Sequence, residues 1–410
     1  MTEKKKSFSL RRLFFWSHLI CGLTAGLVIL LLCVTGTLLA FEHPILAYFD
    51  RQQLGEIHPQ STRIPISELT AKVEKMAHQP VSSITLSAAP DDPLTFEAGR
   101  NRNYVADPWS GQIKAASPRM HDFFHTIVTV HRWFALADAS HETVEQITGW
   151  STLAFVFIIL SGIYLWLPPM WKRAQFRVRL RPGWSSNPRA RDWNWHNAFG
   201  FWLAIPLLCI AVSGVVMALP WSNALLFRLT GSPLPKMHRG QGGPEREARS
   251  GAHVQGAHGA RPQGASPRAE GALQAAEHVE QNTATAAVTA EQLFAAASLQ
   301  SNNWKSLQLR MPSQESKEYN VVLDRGNGYQ PQLRDTLIFS ANGSLLRREN
   351  FTQQSMGSRV RQLLRYLHTG ELFGSFGRSL AMLASLAGCL LVWTGFALSW
   401  RRFFPRSVRT

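Results

Sequence analysis

Cysteine is scarce and poorly placed for most of its uses. The chain has four, Cys21, Cys33, Cys209 and Cys389, and each sits inside a long apolar run. The long polar stretches have none, so no disulfides are expected there. No Cys-x-x-Cys-His occurs, which excludes covalent c-type haem, and no cysteine cluster suggests iron–sulfur. No Gly-x-Gly-x-x-Gly follows a strand pattern, so no resident nicotinamide or flavin domain is visible. Any electrons the protein uses must come from another molecule. No Ser/His/Asp set or His-Glu-x-x-His points to hydrolysis. Acidic residues are also few, 27 against 43 Lys and Arg, giving a net charge of +16.

That charge does not point to nucleic acid, because of where it lies. Four apolar runs, about 13–41, 147–168, 199–219 and 380–400, are long enough to cross a bilayer. The mean hydropathy is near zero, so a large polar part lies outside them. Lys4, Lys5, Lys6, Arg11 and Arg12 precede the first run; Lys172, Arg173, Arg177, Arg179, Arg181, Arg189 and Arg191 lie between the second and third; Arg401, Arg402, Arg406 and Arg409 follow the fourth. The positive-inside rule places these short segments, and both termini, in the cytoplasm. Tryptophans such as Trp166, Trp171, Trp195, Trp221 and Trp400 at the run ends fit an interfacial belt. The first run has a basic start like a signal peptide, but it is too long for one and no small-x-small site follows, so it reads as an uncleaved anchor.

The chain is written twice. Trp16-Ser17-His18-Leu19-Ile20-Cys21-Gly22 leads on to Thr35-Gly36; Asn194-Trp195-His196-Asn197-Ala198-Phe199-Gly200 leads on to Ser213-Gly214. In both copies a histidine lies four residues before one glycine and eighteen before another. An imidazole in lipid needs a partner, and two at matched depth suit the two faces of a planar metal cofactor. Gly22 and Gly200, one turn from these histidines, leave room for such a plane or for close helix packing. The Ser/Thr-Gly pairs read as packing devices. Two further histidines, His131 and His368, end amphipathic stretches just before the second and fourth runs, with His125 and His141 as rivals to His131. His43, in Glu42-His43-Pro44, reads as a helix terminator.

The two long segments between spans share a plan. In the first, 66–78 reads as a helix with Ser67 as N-cap, followed by strands at 81–87, 94–98, 103–106 and 112–115. In the second, 289–299 reads as a helix, followed by strands at 306–310, 319–324, 336–340 and 344–347, the last two joined by an Asn342-Gly343 turn. The stretch 235–285, rich in Gly, Ala, Pro, Arg and His, has little to bury and reads as disordered linker. The expected order is tail and first span (1–41), α+β segment (42–117), surface helix and second span (118–168), basic loop (169–195), third span (196–220), linker (221–285), α+β segment (286–350), surface helix and fourth span (351–400), and tail (401–410).

Tyr104-Val105-Ala106-Asp107-Pro108-Trp109-Ser110-Gly111-Gln112, the His131-Arg132-Trp133 start and the Ser161-Gly162-Ile163-Tyr164-Leu165-Trp166 end of the second span resemble the PepSY-associated transmembrane family of bacteria. The likeness covers nearly the whole chain except the linker. It implies a mainly α membrane protein of four transmembrane helices, a duplicated two-helix unit, with two small α+β PepSY-like periplasmic domains. In arrangement the chain is similar to the di-haem inner-membrane ferric-siderophore reductases. The resemblance implies two non-covalent haem b groups with bis-histidine iron, one held by His18 and His196 and the other by His131 and His368. It further implies reduction of a periplasmic ferric siderophore by electrons from a quinol or a cytoplasmic reductase, with membrane lipid but no nucleic acid as partner. The rival expectation is a non-enzymatic PepSY module that binds or regulates a periplasmic protein such as a protease.

Overall fold

The computed structural model describes residues 10–60, 62–99, 102–134, 141–168, 173–234, 288–312 and 318–404. The linker read at 235–285 lies outside them. Two compact units result, a helical one and one built on a sheet.

The sheet unit holds α3 (Ile66–Ala77), β1 (Val81–Ser87), β2 (Leu94–Ala98), β3 (Arg102–Ala106), β4 (Ile113–Ala115), α10 (Ala290–Ser298), β5 (Ser306–Arg310), β6 (Tyr319–Asp324), β7 (Arg334–Phe339) and β8 (Leu345–Asn350). The two α+β segments, expected as separate domains, form one eight-stranded antiparallel sheet in the order β4-β3-β2-β1-β5-β6-β7-β8. They meet where β1 pairs with β5, from Ser83↔Arg310 to Ser87↔Ser306. Joining there removes one open edge from each half, edges that would otherwise expose unpaired backbone groups. The core is shared too: Leu69 and Val73 of α3 and Leu293 and Phe294 of α10 cluster with Phe96, Leu309 and Phe339.

Ser67 is not the N-cap of α3; Pro65 occupies that place and supplies no side-chain bond. Ser67 instead donates its backbone N–H and its hydroxyl to Glu291 Oε1 of α10, at 2.8 and 3.1 Å. The start of one helix is thus tied to the start of its duplicate. α10 itself opens with a capping box between Thr289 and Gln292.

Among the described residues, the helical unit contains three helices long and apolar enough to span: α1 (Leu10–Leu39), α5 (His141–Trp166) and α12 (Gly374–Phe403). The third expected span is a bent pair, α7 (Pro188–Trp202) and α8 (Ala204–Ala218), at 67° to one another. Pro206 accounts for the break. It cannot donate to the carbonyl four residues back, and its ring would collide with it, so a straight helix through Trp202 is forbidden. α4 (Pro118–Trp133) lies against α1, and α11 (Met356–His368) against α8. Three further helices fall in stretches the sequence reading left as loop or tail of a span: α2 (Glu42–Gln52), α6 (Arg173–Leu180) and α9 (Pro220–Leu229). Pro44 does not merely end α1; it stands in the first turn of α2, where a missing N–H costs nothing. Leu27, Ile205 and Trp393 are among large apolar side chains that point outward, as lipid-facing surface does.

Candidate functional site

Each of the four candidate histidines is docked in the same way. His18 Nδ1 lies 2.9 Å from Ser161 Oγ of α5, and His196 Nδ1 lies 2.9 Å from Thr394 Oγ1 of α12. His131 Nδ1 lies 2.7 Å from Thr35 Oγ1 of α1, and His368 Nδ1 lies 3.1 Å from Ser213 Oγ of α8. Every one of these hydroxyls belongs to a Ser/Thr-Gly pair. The glycine leaves room for the ring: a Cβ built on Gly162 would fall 3.3 Å from His18 Cε1, and one on Gly214 3.3 Å from His368 Cε1. At Gly395 and Gly36 the same atom would lie 3.7 and 3.8 Å from His196 and His131. The pairs read as packing devices are therefore histidine docks.

The hydroxyls also favour one tautomer. A serine or threonine has one proton to give, and each of these gives it to the carbonyl four residues back: Ser161 to Phe157, Thr394 to Leu390, Thr35 to Leu31 and Ser213 to Cys209. What remains toward the ring is a lone pair, which suits donation from Nδ1. His368 Nδ1 also faces the carbonyl of Ile210 at 2.9 Å, which can only accept. Nε2 is then left with its lone pair in all four rings, the form in which imidazole binds a metal, oriented by its outer hydrogen bond.

The docks sort the histidines into two levels. His18 and the Thr35 that holds His131 are on the same helix, about 25 Å apart at 1.5 Å per residue. At the first level, His18, His196, Gly22 and Gly200 line a single cavity of about 1320 Å³. A Cβ on Gly22 would meet nothing within 4 Å, so the glycine's open face belongs to that cavity. At the second level, the rings of His131 and His368 stand 6.5 Å apart between centroids, tilted by 66°. Two imidazoles on opposite sides of one metal, with bonds of about 2 Å, place their ring centres roughly 6 Å apart.

All four docks lie within a repeat, and both pairings lie between repeats. His18–Ser161 and His131–Thr35 join α1, α4 and α5; His196–Thr394 and His368–Ser213 join α7, α8, α11 and α12. Among the described residues there is no group of three or more His, Cys, Asp or Glu placed to hold a bare ion. Two imidazoles per level suit an ion whose equatorial positions are already filled by a macrocycle.

His125 is exposed on α4, and the side chain of His141 is outside the described residues. His43 Nε2 lies 3.5 Å from Oε1 of Glu371, a buried carboxylate whose Oε2 accepts from Thr369 Oγ1 at 2.8 Å. The sequence reading missed the four hydroxyls as hydrogen-bond partners of the histidines and missed Glu371 altogether.

A family model described as "PepSY-associated TM region" matches residues 15–402. Among curated proteins, none matches the chain.

Proposed function

The chain belongs to the PepSY-associated transmembrane family, and from that premise we propose that it is a four-span, di-haem electron-transfer protein of the bacterial inner membrane that reduces ferric siderophores on the periplasmic side. The observation that carries the reading is the fourfold dock, which fixes Nδ1 on a hydroxyl and leaves Nε2 to bind iron. His18 and His196 would hold one haem b, with Gly22 and Gly200 leaving the backbone open to its plane; His131 and His368 would hold the other. Held by two histidines at each level, the haem would supply one-electron transfer to a ferric chelate, whose Fe(II) product is less firmly held by hard oxygen ligands.

The chain's own part is positional. Ser161, Thr394, Thr35 and Ser213 hold the rings against rotation and keep the proton off Nε2. Apolar side chains such as Ile29, Ile159, Leu207 and Leu391 form the cavity wall and would pack against the face of the macrocycle. The basic segments support an orientation with that level toward the cytoplasm, where a quinol or a cytoplasmic reductase would be the donor, and with the sheet unit on the periplasmic side.

The test is a reduced-minus-oxidised spectrum of the purified full-length protein with haem counted per chain. A haem b difference spectrum with two haems per chain is expected. A colourless preparation from haem-replete cells overturns the reading and favours a non-enzymatic PepSY module.

A further inference from the structure

The cavity that holds His18 and His196 has a one-sided charge. Arg11, Arg12, Arg179, Arg189 and Arg402 line it, and no Asp or Glu does. A general excess of basic residues at that end accounts for arginines being there. It does not account for five of them lining one cavity unaccompanied by an acid. Their own partners are few. Arg11 gives Nη2 to the carbonyls of Leu165 and Leu167, at 2.8 and 3.0 Å, and Arg179 gives Nη1 to the carbonyl of Trp166, so both cap the C-terminus of α5. A guanidinium has five N–H donors, and these contacts use only part of the set. Arg402 lies over the rings of Phe15 and Trp16, with its Cζ 4.7 and 5.4 Å from their centroids. Among the described residues none of the five forms an ion pair with a carboxylate. Burial, and next the charge of neighbouring Arg11, push the Arg179 guanidinium below its ordinary value, so like charges are held together here at a cost.

A cavity with apolar walls and a rim of guanidiniums, those of Arg12, Arg189 and Arg402 open to solvent, suits a ligand that is anionic at one end and flat and apolar over the rest. The histidines and Gly22 line the same cavity. We propose that the arginines of this rim bind the two propionate carboxylates of the haem held by His18 and His196, and so fix which edge of the macrocycle faces the basic end of the bundle. This rests on the haem reading above and adds the orientation and the residues that enforce it. It also gives the two levels different chemistry, because the charge of the rim is compensated only when the carboxylates arrive.

The test compares haem with haem dimethyl ester, which keeps the ring and iron but lacks the carboxylates. Full-length apoprotein in a neutral detergent is titrated with each, and binding is followed by the Soret band. His131→Ala is present in every sample so that only the first level is read. A parent with intact arginines is expected to prefer haem over its ester by about tenfold or more, the usual yield of a charge-assisted bond. The double variant Arg189→Gln/Arg402→Gln, which spares the α5 cap, is expected to lose most of that preference while binding the ester as before; Arg402→Lys keeps part of it. A parent that binds haem and ester equally overturns the proposal and leaves the haem reading standing. So does a preference that survives in the double variant. If added anionic lipid lowers haem affinity in the parent but not in the double variant, and no preference over the ester exists, the rim binds a lipid headgroup and the proposal falls. If neither haem nor ester binds, the haem reading itself fails.

Discussion

Histidine has two ring nitrogens, and this chain uses a hydroxyl to decide which is left over. Thr394 is the clearest case, because its Oγ1 gives its proton to the Leu390 carbonyl at 2.8 Å and receives one from His196 at 2.9 Å. Thr394→Val keeps the shape and removes the acceptor. Haem at the His196 level is expected to bind about 10–100-fold more weakly, the usual cost of losing the group that orients a metal-bound imidazole, with Thr394→Ser close to the parent. Titration of the apoprotein with haem checks this, and unchanged affinity in the valine variant would reduce Thr394 to a packing residue. His18 and His196 stood out in the sequence, because matched spacing in a duplicated chain sets them apart from incidental histidines. Their partners did not, since Thr394 is 198 residues from His196 and only folding brings them together. A signal was nonetheless there: each apolar run carries a Ser/Thr-Gly pair toward its far end, at Thr35-Gly36, Ser161-Gly162, Ser213-Gly214 and Thr394-Gly395, and there is one candidate histidine to match each.

Secondary elements were easier to read than their ends. Periodicity placed β1, β5 and β6 on the observed residues and α3 within one residue, because strand and helix periods are local and strong in a half-buried segment. Hydropathy, by contrast, averages over a window and ran straight through Pro206, where backbone chemistry bends α7 away from α8 by 67°. The start of α3 was misread for another reason: Ser67 looks like a cap, but its true acceptor is on the other copy. That contact gives a pH-dependent prediction. Burial raises the Glu291 carboxyl, but the bonds from the Ser67 N–H, its own N–H and the hydroxyls of Thr289 and Ser67 outweigh it and hold the group below its ordinary 4.5. A carboxyl lowered on folding stabilises above its unfolded value and loses that contribution as pH falls through the folded one. The tie between α3 and α10 is therefore expected to be intact at neutral pH and to weaken below 4.5. Glu291→Ala should cost about 0.5–1 kcal/mol at pH 7, modest because the group is partly open to water, and much less at pH 3. Thermal unfolding of the parent and variant at the two pH values measures it; an equal difference at both would remove the carboxylate from the account.

At the scale of the whole molecule, duplication was legible but assembly was not. Nothing local in β1 or β5 says that their edges pair, because an edge presents backbone groups that any strand of the right twist satisfies. The same holds for the helices, whose docks close each repeat on itself while the histidine pairs form between repeats. This gives the ligand pairing a consequence. Each haem would join the two repeats at one level, so losing either ligand of a level should release that haem alone. His18→Ala and His196→Ala are expected to leave one haem per chain with the same spectrum and midpoint potential. His131→Ala and His368→Ala should leave the other haem, with a different potential, because five arginines line the cavity at the first level. The docks that close each repeat survive at the untouched level, so the helices should stay folded in all four variants, as circular dichroism can confirm. Redox titration of the four proteins sorts them. If His18→Ala and His368→Ala leave the same haem, then iron pairs histidines along a repeat rather than across the two, and the levels drawn from the docks are wrong. If His131→Ala keeps both haems, the second-level ligand on that side lies at His125 or His141.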